Sequence, residues 1–179
     1  MCLTKWLSAT FAIVLLAGSV VAAENSIARG KVKSFDLDKK TFVLTDSSDK
    51  DNTFKFDDTF VVNREGKEGN SDLKAGDVIN VCHEKGKGMA HYVLVQEGKC
   101  KNCELIQGSV KGYDADKKEL TFTNDSDKTS TYAMSDAKVR LNMEASKIDS
   151  VKNGDRALII VDTIDGKPVL TSLMIERAK

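Results

Sequence analysis

Several residue types on which recognisable chemistry depends are scarce in this chain. Of 179 residues, two are histidine, one is proline and one is tryptophan. The tryptophan, Trp6, and one of the four cysteines, Cys2, fall within the first ten residues. Aromatics make up only 6%, and the formal net charge is zero, 27 basic residues against 27 acidic. That balance gives no general attraction to nucleic acid or to an anionic lipid surface, so neither is expected as a partner. Beyond residue 23 no apolar run is long enough to span a bilayer as a helix. There is no G-x-S-x-G elbow, no phosphate-binding P-loop and no dinucleotide fingerprint. A Ser-His-Asp arrangement would have to recruit His83 or His91, and no serine stands out as their partner. Disorder is excluded as well, because 41% hydrophobic and 30% charged residues is an ordinary globular mix.

The N-terminus reads as an export signal. Lys5 supplies the positive end, Leu7 to Leu16 is almost unbroken apolar sequence, and Val21-Ala22-Ala23 offers small residues for cleavage before Glu24. An uncleaved anchor over Trp6 to Ala23 is the rival reading, and the small-residue site favours cleavage. The remainder is expected to be periplasmic or extracellular.

The rest of the chain is a repeat. Gly30-Lys-Val-Lys-Ser-Phe-Asp-Leu-Asp-Lys-Lys-Thr-Phe-Val-Leu-Thr45 aligns with Gly108-Ser-Val-Lys-Gly-Tyr-Asp-Ala-Asp-Lys-Lys-Glu-Leu-Thr-Phe-Thr123. The register returns at Leu73-Lys-Ala-Gly-Asp77 against Val151-Lys-Asn-Gly-Asp155, and at Gly88 against Gly166, without a gap. Each copy alternates apolar and polar residues with period two, as in Thr41 to Thr45 and Glu119 to Thr123, broken by turns rich in aspartate. Asp36-x-Asp38 and Asp114-x-Asp116 are expected to be hairpin turns and not calcium loops, since the loop glycine and distal glutamate are missing. Five or six short strands per copy predict an all-β protein of two tandem small OB-like β-barrels after an N-terminal signal peptide. The expected boundaries are 1–23 for the signal peptide, 24–98 for the first barrel, 99–106 for a cysteine-containing linker and 107–179 for the second barrel.

The shared frame is Gly30, Val32, Phe35, Asp36, Leu73, Lys74, Gly76 and Asp77, then Gly108, Val110, Tyr113, Asp114, Val151, Lys152, Gly154 and Asp155. It resembles small exported bacterial domains of OB-like barrel form, many of them in families of unknown function. In outline it is also similar to the periplasmic copper and silver chaperones. That family's ligands include a tryptophan, a histidine and a close pair of methionines. From Glu24 onward there is no tryptophan, and Met89, Met134, Met143 and Met174 are scattered. The resemblance therefore implies architecture and not a ligand set.

Both histidines and every cysteine but Cys2 fall between Val81 and Cys103. The second copy has neither type: in gapless register Cys82 meets Ile160, His83 meets Val161 and His91 meets Val169. These residues are thus additions to the scaffold. A hairpin turning near Gly86 to Gly88 would set Cys82 opposite His91 on one face, with His83 turned to the core. Cys100 and Cys103 would lie at the far end unless the chain reversed sharply after Glu97-Gly98.

Four outcomes follow for the cysteines: a Cys100–Cys103 disulfide, a zinc or copper site drawn from Cys82, His91, Cys100 and Cys103, a disulfide from Cys82 to the linker, or free thiols. The first is preferred, so no resident cofactor is expected. The leading functional reading is an exported, non-enzymatic binding module for a protein, peptide or glycan ligand. A metal-binding protein is the alternative. A thiol redox enzyme comes third, because no helix follows the C-x-x-C to depress a thiol pKa.

Overall fold

The computed structural model describes residues 25–134 and 136–177, so the signal peptide lies outside the described residues. The first copy contributes β1 (Asn25–Asp36), β2 (Thr41–Thr45), β3 (Asp51–Arg64), β4 (Lys67–Gly69), β5 (Val78–Glu84) and β6 (Met89–Val95). The second contributes β7 (Glu104–Asp114), β8 (Glu119–Asn124), β9 (Thr129–Ala133), β10 (Lys138–Leu141), β11 (Glu144–Ser146), β12 (Arg156–Ile164) and β13 (Lys167–Ile175).

In the first copy the strand order β2-β1-β5-β6-β3 is closed by pairing of β2 with β3. The β3–β6 contact is parallel and the other four are antiparallel. In the second, β13-β12-β7-β8-β9 closes by parallel pairing of β13 with β9, and β10 continues that parallel pairing. These are two closed five-stranded barrels in tandem, with β4 and β11 as short flanking hairpin strands. The all-β, OB-like expectation holds. One difference between the copies is that β3 runs unbroken, whereas the second copy splits the same path into β9 and β10.

Local chemistry explains the frame residues. Gly30 and Gly108 sit where the next strand crosses at close range. A Cβ there would lie 2.2 Å from the Thr45 carbonyl oxygen and 2.0 Å from that of Thr123. Asp36 and Asp114 turn the chain through their carboxylates, which accept the backbone N–H of Lys39 at 2.9 Å and of Lys117 at 3.0 Å. Asp77 and Asp155 each accept an N–H three residues back, from Lys74 at 2.8 Å and Lys152 at 2.7 Å. Each of these aspartates is also held by an arginine, but from a different place. Arg64, at the end of β3, reaches Asp77 at 2.5 Å and also pairs with Glu97. In the second copy Leu141 occupies the position of Arg64, and Arg177, just past β13, reaches Asp155 at 2.6 Å.

The repeat is not gapless to its end. In β5–β6, Ile79 pairs with Val95, and in β12–β13, Ala157 pairs with Ile175. The last strand is therefore displaced by two residues, absorbed in the turn, where Asp165-Gly166 makes a two-residue connection and Lys85 to Gly88 a longer one. His91 corresponds to Thr171 and not to Val169. Both occupy the same bulge in their hairpin.

The barrels meet along a buried seam built from the same outer face of each. Ile79 and Val81 point into the first core, and Cys82, from the alternate face of β5, points into the seam. Ile27 and Leu105, Cys82 and Ile160, and Leu94 and Met174 are repeat-equivalent pairs, and all six lie in this one cluster. Around it runs a polar chain. Asn63 donates to the Tyr92 hydroxyl at 2.8 Å, Tyr92 donates to Glu68 at 3.2 Å, and Glu68 pairs with Arg140 of the second barrel. Asn80 breaks the pattern. It is fully buried with no hydrogen-bond partner for either amide atom, and its counterpart is the seam residue Leu158. An unsatisfied buried polar group costs about 1–3 kcal/mol. Asn80→Leu is therefore expected to raise the urea midpoint of unfolding by a free energy of that order, roughly 1–3 kcal/mol. Lower stability in that variant would show that the amide is satisfied in solution.

Candidate functional site

The crowded cysteine and histidine stretch does not form one site. Cys100 and Cys103 are joined as a disulfide with Cα atoms 4.8 Å apart. The residue opposite Cys82 is Tyr92, not His91. The bulge displaces His91 from cross-strand pairing with β5. His83 is partly exposed, its ring 4.9 Å from that of the core residue Phe54, with Nδ1 3.1 Å from its neighbour's carbonyl oxygen. Among the described residues no group of three or more His, Cys, Asp or Glu side chains is placed to hold a metal ion.

The expected distance between Cys82 and the linker is also corrected. The chain reverses at Gly98, whose φ of +53° suits glycine, and a short 3-10 turn, Gly98–Cys100, follows. That reversal puts Cys103 in the same apolar cluster as Cys82. β7 then begins at Glu104, inside the span read as linker. Gln96 donates to the Cys103 carbonyl at 3.0 Å, and the Cys82 thiol donates to Gln107 of the second barrel at 3.7 Å. Burial pushes the Cys82 thiol up to about 12, so it stays protonated and unreactive.

A concave site appears elsewhere, at one end of the second barrel. In the first barrel the corresponding end is plugged by aromatic rings. Phe35 stacks on Phe56 at 5.5 Å, Phe56 on Phe60 at 4.6 Å, and Phe42 lies 6.0 Å from Phe60. Strand pairing fixes the equivalents. Met134 stands for Phe56, since each takes an N–H···O bond to the matched lysine carbonyl, Lys118 at 2.8 Å and Lys40 at 3.0 Å. Ala137 stands for Phe60, two residues before the matched core residues Val139 and Val62. Tyr113 stands for Phe35.

Phe56 and Phe60 are thus replaced by a thioether chain and a methyl group, Phe42 is replaced by Leu120, and a hollow of about 410 Å³ lies at this end. Its apolar lining is Tyr113, Met134, Ala137, Val139 and Ile148, and its rim carries Lys118, Lys147 and Asp149. Ile148 comes from a 3-10 turn, Ile148–Ser150, and packs against the edge of the second core. A volume of this size lies within the usual range for small-molecule pockets. A broader hollow of about 550 Å³ lies on the outside of the first barrel, but Lys33 and Asp51 already pair there. Sequence reading missed the pocket. Its signal was present in the substitution of Phe56 and Phe60 by Met134 and Ala137 between copies.

No protein-family model matches the chain. No curated protein matches it either. Among solved structures, a copper(II) form of a CusF variant from Escherichia coli is similar at 18% identity and a TM-score of 0.32, covering 42% of this chain and 92% of that one. A likeness of that size bears on neither ligand nor mechanism.

The buried thiol gives a direct check. In protein beginning at Glu24, native iodoacetamide labelling at pH 8 is expected to leave Cys82 unmodified, and denaturation without reductant should expose one alkylatable thiol. Rapid native labelling would show that the seam opens.

Proposed function

We propose that the protein is an exported, non-enzymatic binding module whose ligand site is the open end of the second barrel. The observation that carries this reading is the contrast between the two copies. The same scaffold fills this end with stacked rings in the first barrel, so leaving it open in the second is not forced by the fold. A hollow lined by apolar groups with charges at its rim has the composition of a ligand pocket. Of the protein, peptide and glycan ligands expected from sequence, a hollow this small suits the apolar group of a small ligand better than a flat protein surface. Binding is favoured over thiol chemistry because the free thiol, Cys82, is buried in the seam and kept protonated there. Export rests on the sequence of residues 1–23, and a Cys100–Cys103 disulfide fits an oxidising compartment.

N-phenyl-1-naphthylamine, a neutral apolar dye, tests the site. The wild-type protein should enhance its fluorescence. Ala137→Phe restores the ring of the first barrel and should weaken binding by about tenfold or more, a loss of about 1.4 kcal/mol or greater, while the melting temperature holds or rises. A dye that ignores the wild-type protein, or binds Ala137→Phe equally well, would overturn the reading.

A further inference from the structure

The rim of this pocket is as informative as its lining. In the first barrel Lys40 is neutralised by Asp58 at 2.6 Å. Its counterpart at the pocket mouth, Lys118, has no carboxylate within ion-pair distance among the described residues. The same is true of Lys147, the N-cap of the Ile148–Ser150 turn. By contrast Lys117, one residue from Lys118, is paired with Asp114 at 3.4 Å. Both rim lysines are held in place through the backbone. The carbonyl of Lys118 accepts the Met134 N–H at 2.8 Å, and that of Lys147 accepts the Ser150 hydroxyl at 2.7 Å. The remaining change between copies also adds a polar group. Tyr113, a lining residue, replaces Phe35 and so adds a hydroxyl that the first barrel lacks.

Two ammonium groups and a phenol above an apolar floor form a donor-rich set. Asp149 supplies the one opposing charge, leaving the rim at +1. We infer that the pocket takes an amphiphile with an apolar body and a single anionic head, such as a medium-chain or aromatic carboxylate. The apolar body lies on Met134, Ala137 and Val139, and the head meets Lys118, Lys147 and the Tyr113 hydroxyl. A cation would face two lysines. This inference rests on the open barrel end being a ligand site at all.

Decanoate and decanol share an apolar body and differ in the head, which separates the two ideas. Titration calorimetry on the protein beginning at Glu24 should show decanoate binding about two- to fivefold tighter than decanol, the scale of exposed ion pairs. That preference should shrink as salt is raised, because rim charges are screened. Lys118→Gln/Lys147→Gln, both exposed positions, should remove most of the preference for decanoate over decanol. Ala137→Phe should weaken both ligands. Equal binding of decanoate and decanol by the wild-type protein would overturn the anionic-head inference and leave the pocket standing. So would a preference for decanoate that survives in the double variant. If neither ligand binds and N-phenyl-1-naphthylamine also fails, the binding reading falls and the inference falls with it.

Discussion

A small closed barrel must fill its own ends. Five short strands leave an interior only a few side chains wide, and the chain has to supply enough volume to bring it to the density of a protein core. The first barrel meets this demand with Phe35, Phe42, Phe56 and Phe60 packed ring against ring. The second has the same barrel pairing and turn aspartates but smaller side chains at three of those four positions, Leu120, Met134 and Ala137. Its hollow, the charges around it and the reading of the protein as a binding module all depend on that difference in side-chain volume.

The seam explains how the second barrel can tolerate a void. Each barrel hides one outer face against the other, so β5, β6, β12 and β13 are buried on both sides for much of their length. Apolar burial at roughly 25 cal/mol per Å² makes such a surface a large source of stability. The disulfide holds the reversal that lets the two faces meet, and the Asn63–Tyr92–Glu68–Arg140 chain fixes their register. The pocket lies in the second barrel's own end, lined by residues outside the seam cluster.

The architecture was legible because its markers are local. Period-two alternation gives strands, and Asp36, Asp77 and their counterparts give turns. Gly30 and Gly108 mark where one strand crosses another too closely for a side chain. The Cys100–Cys103 pair was legible from its spacing. What escaped depends on register and on long-range packing. One bulge moved His91 away from Cys82, and two residues absorbed in a turn shifted the last strand relative to its copy. Neither event leaves a mark in hydrophobic periodicity. The seam did leave one, in the unbroken runs Val93-Leu94-Val95 and Leu158-Ile159-Ile160-Val161, which are too apolar for strands with one wet face. The pocket needed a comparison of volumes between copies, where alignment by residue type records only that all are hydrophobic.

Tandem copies of one fold carry a hazard of mis-assembly, since a strand from either copy fits the hairpin of the other. The arginine placement bears on this. Were the final strands exchanged, Arg177 would join Arg64 at Asp77, giving one carboxylate two guanidinium groups. Asp155 would meet Glu97 beside Leu141 with no cation, although its side chain is only 8% exposed. The correct pairing gives each aspartate its arginine, and the crossed pairing strands like charges together. Supplying the same ion pair from two different places in the repeat therefore gives two near-identical halves a means of telling self from copy as they fold.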